Sequence, residues 1–263
     1  MYKLGLLGFG KMGGSIINGL IEYKKIERKD IIIYSLNKED ILNGGFVLAK
    51  DELDVYQNSE IVLFAIKPQQ FPEVLEKLKD SNKKPNLLIT IAAGITISYL
   101  QKSLGNDLEV VRFMPNLGAS INMAVSTMAH SDNVSNDNLS FAKTMFESIG
   151  SVTEVSEDKI NILLPLNGSY PAYIWYFIRS FVRYAKKNGI KEEDARKMLA
   201  DATIGCAKML NDSKKDLDTL INDVCSYKGT TIEGVYVFDD KKLDDIVYEA
   251  SEKCANRGKE LEK

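Results

Sequence analysis

Short apolar runs alternate with amphipathic stretches over the first 155 residues of the chain. Runs at 4–7, 31–34, 61–65, 87–91, 110–114, 125–129 and 152–155 predict strands. Several are apolar throughout instead of alternating, the pattern of strands covered on both faces by helices. Between the earlier runs, helical periodicity at 12–23, 37–42, 73–79 and 97–104 predicts crossover helices. This alternation argues for βαβ units on a mostly parallel sheet.

After residue 156 the strand pattern stops. Pro171 stands where a helix can begin and Gly189 follows the run 172–188, a proline-in, glycine-out arrangement. Tyr173, Ile174, Trp175, Tyr176, Phe177, Ile178 and Phe181 place apolar groups on nearly every side of that helix. A helix without a polar face is expected to be buried all round. The tail is too short to cover it alone, so a second copy of the chain is the expected partner. Further helices are predicted at 192–210, 217–225 and 243–261, the first opening with Glu192, Glu193 and Asp194, favourable to its dipole. The predicted division is an α/β domain over 1–155 and an all-α domain over 156–263.

Composition narrows the chemistry. Apolar residues make up 44% of the 263 and charged residues 27%, the usual balance for a soluble globular chain. No apolar run approaches the ~20 residues that span a bilayer, and no export signal opens the sequence. The expectation is a cytoplasmic protein with no membrane partner. A net charge of −3 argues against a nucleic-acid partner, which needs a basic excess. Three cysteines without a C-x-x-C pair read as small buried or half-buried residues. The single histidine, His130, reads as a solvated loop residue and excludes a multi-histidine metal site. No metal is expected, so the chemistry falls to a cofactor or to non-histidine groups.

Gly8-Phe9-Gly10-Lys11-Met12-Gly13 points to a dinucleotide cofactor. The G-x-G-x-x-G pattern alone is weak, but here it follows an apolar strand and opens a helix, the context that gives it a mechanism. Gly8 allows the tight turn, Gly10 lets backbone approach a pyrophosphate, and Gly13 permits close helix–strand packing. The helix N-terminus offers free N–H groups and partial positive charge to the diphosphate. The alternative is a glycine turn without a ligand.

The segment after the second strand selects the nucleotide. An NAD site places an acid there to hold the ribose 2′-hydroxyl. This chain reads Tyr34-Ser35-Leu36-Asn37-Lys38, with no acid before Glu39. Ser35 and Asn37 can hydrogen-bond a 2′-phosphate and Lys38 can neutralise it, which predicts NADP(H), with NAD(H) as the alternative. Asn37 could instead cap the next helix and Lys38 be solvated.

Six blocks then make a specific resemblance. The opening glycine motif is followed by Asn18-Gly19-Leu20, then Ala65-Ile66-Lys67-Pro68-Gln69, Ala92-Ala93-Gly94-Ile95 and Arg112-Phe113-Met114-Pro115-Asn116. The helical half contributes Gly168-Ser169-Tyr170-Pro171-Ala172-Tyr173 and Ser226-Tyr227-Lys228-Gly229-Thr230-Thr231-Ile232. In order and spacing these blocks resemble the pyrroline-5-carboxylate reductase family over essentially the whole chain.

The resemblance implies a Rossmann-type dinucleotide-binding domain followed by an all-α dimerisation domain, in a homodimer that can build into a decamer. It implies NADPH-dependent reduction of 1-pyrroline-5-carboxylate to L-proline, the last step of proline biosynthesis. Gly8, Phe9, Gly10, Lys11, Met12, Gly13, Ser35, Ala65, Ile66, Lys67, Pro68, Ala92, Ala93, Gly94 and Asn116 would line the cofactor, joined by Asn37 and Lys38. The loop 226–231 of one subunit would receive the small imine carboxylate beside the nicotinamide held by the other. Ser226, Lys228, Gly229, Thr230 and Thr231 would be its substrate residues, the N–H groups of Gly229 and Thr230 suiting a carboxylate. Thr231 would act catalytically, its hydroxyl meeting the ring nitrogen as donor or acceptor. The bland alternative makes Thr231 a plain helix N-cap, and Lys67 fits a cofactor-side turn better than a proton donor.

Departures from the family pattern gather on the substrate side. The family's Ser-Pro-Gly-Gly reads Ser226-Tyr227-Lys228-Gly229, which predicts a non-glycine at positive φ or altered loop geometry. Lys228 would then either add a cation near the carboxylate or point to solvent. Tyr170 replaces a glycine at the head of the apolar helix, and Leu117-Gly118 replaces Thr-Pro after Asn116. Alternatives are a reductase of a different cyclic or acyclic imine and a non-enzymatic NADP-binding regulatory protein. A 3-hydroxyacid-type dehydrogenase would need Lys208 in a motif its neighbours do not make.

Overall fold

The computed structural model describes residues 1–263. Its strands are β1 (Tyr2–Leu7), β2 (Ile31–Tyr34), β3 (Val47–Leu48), β4 (Ser59–Phe64), β5 (Leu87–Thr90), β6 (Glu109–Met114), β7 (Ala124–His130) and β8 (Gly150–Glu154). They form one sheet in the order β3-β2-β1-β4-β5-β6-β7-β8. Every adjacent pair is parallel except β6 and β7. The helices of this half are α1 (Lys11–Glu22), α2 (Lys38–Asn43), α3 (Glu52–Asn58), α4 (Phe71–Leu78), α5 (Ile97–Leu104), α6 (Asn136–Glu147) and α7 (Ile160–Leu163).

Alternate residues of the strands feed two cores. Leu4, Leu6, Ile31, Ile33, Ile61 and Leu63 pack on one face, and Leu7, Ile32, Val62 and Phe64 on the other. This is why these runs carry no polar alternation: each side chain is covered, and burying one contributes roughly 1.5–3 kcal/mol. The sheet starts at β1 and runs out both ways, to β2 and to β4. The carboxyl ends of β1 and β4 therefore flank a topological switch point, where open α/β sheets hold their ligands.

The second half is helical: α8 (Tyr170–Lys187), α9 (Glu192–Asp212), α10 (Leu217–Val224), α11 (Thr230–Asp240) and α12 (Leu243–Glu260). No helix is long and apolar enough to cross a membrane. The chain divides into two compact units, Met1–Ser169 with Cys254–Lys263, and Tyr170–Lys253. The first unit runs past the expected boundary at 155/156, and Ile160 of α7 is fully buried in the second of these cores.

Several expectations need correction. α3 and α6 and the two-residue β3 lie in segments for which no element is predicted. His130 ends β7 instead of standing in a solvated loop; it is half-buried, with Nε2 3.4 Å from a Glu154 carboxylate oxygen. Cys206 is exposed, while Cys225 and Cys254 are half-buried as expected. Within one chain α8 buries only Val182; Trp175 is 57% exposed, Tyr176 65% and Tyr184 69%. The aromatic groups of the helical unit still find each other, Phe177 lying 5.2 Å from Phe181 and 6.0 Å from Phe238 between ring centroids.

Candidate cofactor cleft and substrate loop

The glycine turn is built as its spacing predicts. Leu7 pairs across the sheet with Tyr34 and with Phe64, and Phe64 with Thr90, so Gly8, Ser35, Ala65 and Ile91 all emerge at the same carboxyl edge. The N–H of Gly8 donates to Tyr34 C=O at 2.8 Å and that of Ala65 to Leu7 C=O at 2.8 Å, locking the edge. Gly8 has φ +98, and a Cβ there would stand 2.6 Å from the Ala65 carbonyl oxygen. A Cβ on Gly13 would stand 2.4 Å from the Gly8 carbonyl oxygen. Around Gly10, in contrast, an added Cβ would meet nothing within 4 Å.

Gly10 is also the N-cap of α1, and no side chain caps that end. A first turn of N–H groups is thus left facing open space beside a residue with no side chain. These are the conditions a pyrophosphate requires, so the residues fit a dinucleotide. The cleft of about 430 Å³ at this edge is lined by Gly8, Gly10, Ser35, Ala65, Ile66 and Lys67 among others.

Three charged residues that the sequence pattern did not single out also line it: Glu52, Glu73 and Lys77. Lys77 Nζ lies 3.2 Å from Glu52 and 3.0 Å from Glu73, and both contacts hold its pKa above the ordinary lysine value, the bond to Glu73 foremost. Asp51 caps α3 by accepting from the Asp54 N–H at 2.8 Å and so presents Glu52 at the rim. An aspartate before Leu53, Val55 and Tyr56 was the available signal.

The remaining sequence-derived positions divide. Phe9, Lys11, Met12, Gly13 and Pro68 adjoin the cleft residues along the chain. Asn37 is the N-cap residue of α2 but makes no capping bond; its amide donates to the Asp40 carboxylate. Lys38 is exposed at the start of α2. Ala92, Ala93 and Gly94 follow β5, with Gly94 at φ +77 beneath the backbone of Leu261. Asn116 is spent on the chain itself: its Oδ1 accepts from the Gly118 and Val125 N–H groups, each at 3.1 Å, and its Nδ2 donates to Asn167 C=O at 3.2 Å.

In the helical unit, the Gly229 N–H donates to Ser226 C=O at 2.9 Å and closes a turn before α11. Lys228 sits in that turn at φ +56, the left-handed conformation expected from the glycine it replaces. Its ammonium lies 5.2 Å from the centroid of the Tyr227 ring, and both residues are exposed. The N-cap of α11 is Gly229, with no side-chain cap. Thr231 is therefore the second residue of the helix and not its cap, which corrects the bland alternative and leaves its exposed hydroxyl free of that duty.

Comparison with known proteins agrees with the two halves. The model described as pyrroline-5-carboxylate reductase dimerisation matches residues 157–261, and the one described as NADP oxidoreductase, coenzyme F420-dependent, matches residues 3–94. A pyrroline-5-carboxylate reductase of Escherichia coli is 31% identical over 265 residues, covering 99% of this chain and 98% of its own length. A solved pyrroline-5-carboxylate reductase of Coxiella burnetii is 30% identical with a TM-score of 0.89, covering 100% of this chain and 99% of that one. A Plasmodium falciparum pyrroline carboxylate reductase, solved with NADP bound, shares the fold at TM-score 0.90 with 24% identity, over 100% of this chain and 98% of that one.

Proposed function

The chain belongs to the pyrroline-5-carboxylate reductase family, and from that membership we propose that it reduces 1-pyrroline-5-carboxylate to L-proline with NADPH. The observation that carries this reading is the presence in one chain of two unblocked anion-binding turns. One is the uncapped start of α1 with Gly10 open beside the cleft; the other is the uncapped start of α11 at Gly229-Thr230-Thr231.

When bound, NADPH supplies the hydride. The chain's own work is to hold, orient and hydrogen-bond. The first turn of α1 holds the pyrophosphate, and Ser35, with Lys38 nearby, accommodates the 2′-phosphate. Ala65, Ile66 and Lys67 wall the cleft. The N–H groups of Gly229 and Thr230 bind the substrate carboxylate, and the Thr231 hydroxyl holds the ring nitrogen, serving imine and amine alike. Asn37 contributes less than expected, since its amide is bonded to Asp40.

The match of residues 157–261 to the dimerisation model supports self-association of the chain. We read the assembly as a homodimer, with a decamer built from dimers as its larger form, working in the cytoplasm on a small-molecule imine carboxylate. A second reading, an imine of different size, is favoured by Lys228 at φ +56 beside Tyr227, which is 90% exposed in a loop the family fills with proline and glycine. NADPH consumption over a panel of cyclic and open-chain imines tests both. The reading requires 1-pyrroline-5-carboxylate to give the highest kcat/KM, and a different ring size on top would favour the second.

A further inference from the structure

Leu261 and Lys263 meet the segment that follows β5, and Glu262 between them meets Arg112 of β6 and Asn161 of α7. The Lys263 N–H donates to Gly94 C=O at 2.8 Å, and the Thr96 hydroxyl donates to Lys263 C=O at 2.6 Å. Gly94 is packed so tightly under Leu261 that a Cβ there would stand 2.2 Å from the Leu261 carbonyl oxygen. Between these two anchors, Glu262 turns inward and accepts from Arg112 Nη1 at 3.2 Å and from Asn161 Nδ2 at 2.7 Å.

Arg112 makes this attachment directional. It is fully buried, and its Nε and Nη2 have no hydrogen-bond partner. Its charge is met only through Nη1, by Glu262 and by Glu157 at 2.9 Å. Glu157 in turn accepts from the Ile97 N–H at 2.9 Å, at the start of α5. A buried guanidinium with so few partners makes each of the two carboxylates hard to release. The segment 92–97 is thereby clamped at Gly94, Thr96 and Ile97 by groups that lie far from it in sequence. It is also the direct continuation of β5, whose last residue Thr90 pairs with Phe64, immediately before the cleft residues Ala65 and Ile66.

We infer that residues 261–263, held by Arg112 through Glu262, act as a positioning strap for the nicotinamide side of the cofactor cleft. The strap touches neither substrate nor cofactor. It fixes the backbone of 92–96, which leaves the sheet next to β4, on the side of Gly8 away from Ser35. A dinucleotide running from Ser35 across Gly8 brings its nicotinamide end toward that backbone, while the glycine turn and Ser35 hold the adenosine end without it. This inference rests on the proposed NADPH-dependent function.

The test compares the full-length protein with Glu262→Ala, Glu262→Gln and a deletion of 261–263. Affinities for NADPH and for adenosine 2′,5′-bisphosphate, which lacks the nicotinamide end, are measured by calorimetry, with melting temperature followed alongside. Glu262→Ala and the deletion should weaken NADPH by about tenfold to a hundredfold, the scale of one lost hydrogen bond to a charged group. The bisphosphate should bind as before, and Glu262→Gln, which keeps an acceptor for Arg112 and Asn161, should recover most of the loss. Equal weakening of both ligands, or a lowered melting temperature with NADPH affinity unchanged, would overturn the strap and leave these residues a purely structural role. A wild-type protein that binds no NADPH would instead overturn the function on which the strap depends.

Discussion

Gly13 stands so close to Gly8 that a Cβ on it would come within 2.4 Å of the Gly8 carbonyl oxygen, whereas Gly10, between them, faces empty space. Two glycines of one motif therefore answer to different demands, packing and ligand approach, and substitution separates them. Gly13→Ala should cost about 1–3 kcal/mol of stability through overpacking, visible as a lowered melting temperature without any ligand. Gly10→Ala, at an ordinary φ of −87 and with open space around it, should lower the melting temperature less than Gly13→Ala, by no more than a weakened helix cap costs, and should weaken NADPH. A Gly10→Ala protein that binds NADPH as the wild type does would remove the pyrophosphate from this turn.

Thr231 is exposed at the second position of α11 with no capping duty. Thr231→Ala should therefore fold with an unaltered melting temperature while kcat falls by ~10-fold to 10³-fold, the range for removing one hydrogen-bonding group beside a reacting atom. Thr231→Ser, which keeps the hydroxyl, should retain most of the rate. Steady-state rates unchanged in Thr231→Ala would take the hydroxyl out of the chemistry.

Nucleotide choice is assigned to Ser35 more than to Asn37, whose amide is already bonded to Asp40. Ser35→Glu should raise KM for NADPH by about tenfold or more, because a carboxylate would face the 2′-phosphate. The same change should leave KM for NADH equal or lower, since an acid there can hold a free 2′-hydroxyl. Parallel increases for both nucleotides would show that Ser35 does not read the 2′ position.

Phe177 and Phe181 are each 42% exposed within one chain, on a helix that buries only Val182. In the dimer their rings should be covered, so Phe177→Asp with Phe181→Asp places charge in an apolar interface. Sedimentation should show the wild-type protein at dimer mass or above and the double variant shifted toward monomer. A wild-type protein sedimenting as a monomer would contradict the reading of α8 as an interface helix.

Sheet and cofactor edge were largely legible in the sequence, because burial on both faces leaves an uninterrupted apolar run. Ile31-Ile32-Ile33 and Leu87-Leu88-Ile89 could hardly be anything else. The glycine motif was legible for the same kind of reason: only backbone without side chains satisfies Gly8 and Gly13. α6 carries a readable pattern as well, with Leu139, Ala142, Met145 and Phe146 on one face after the capping Ser135. α3 is seven residues long and opens with charge, so its periodicity is weak. The positive φ of Lys228 followed from the glycine it replaces in the family pattern, whereas its seat over the Tyr227 ring did not. The ties of Gly94 to Leu261 and Lys263, and of Arg112 to Glu262, join residues remote in sequence and leave no local pattern.

Everything proposed for the two turns comes down to a hydride moved by this chain from NADPH onto the imine carbon of 1-pyrroline-5-carboxylate. NADPH deuterated at the transferred position of the nicotinamide makes that step visible, with the amino acid formed examined by mass spectrometry. The expected product is proline carrying one deuterium on the ring carbon that was double-bonded to nitrogen, in step with NADPH consumed. Unlabelled proline, or NADPH left unconsumed in the presence of the imine, would contradict it.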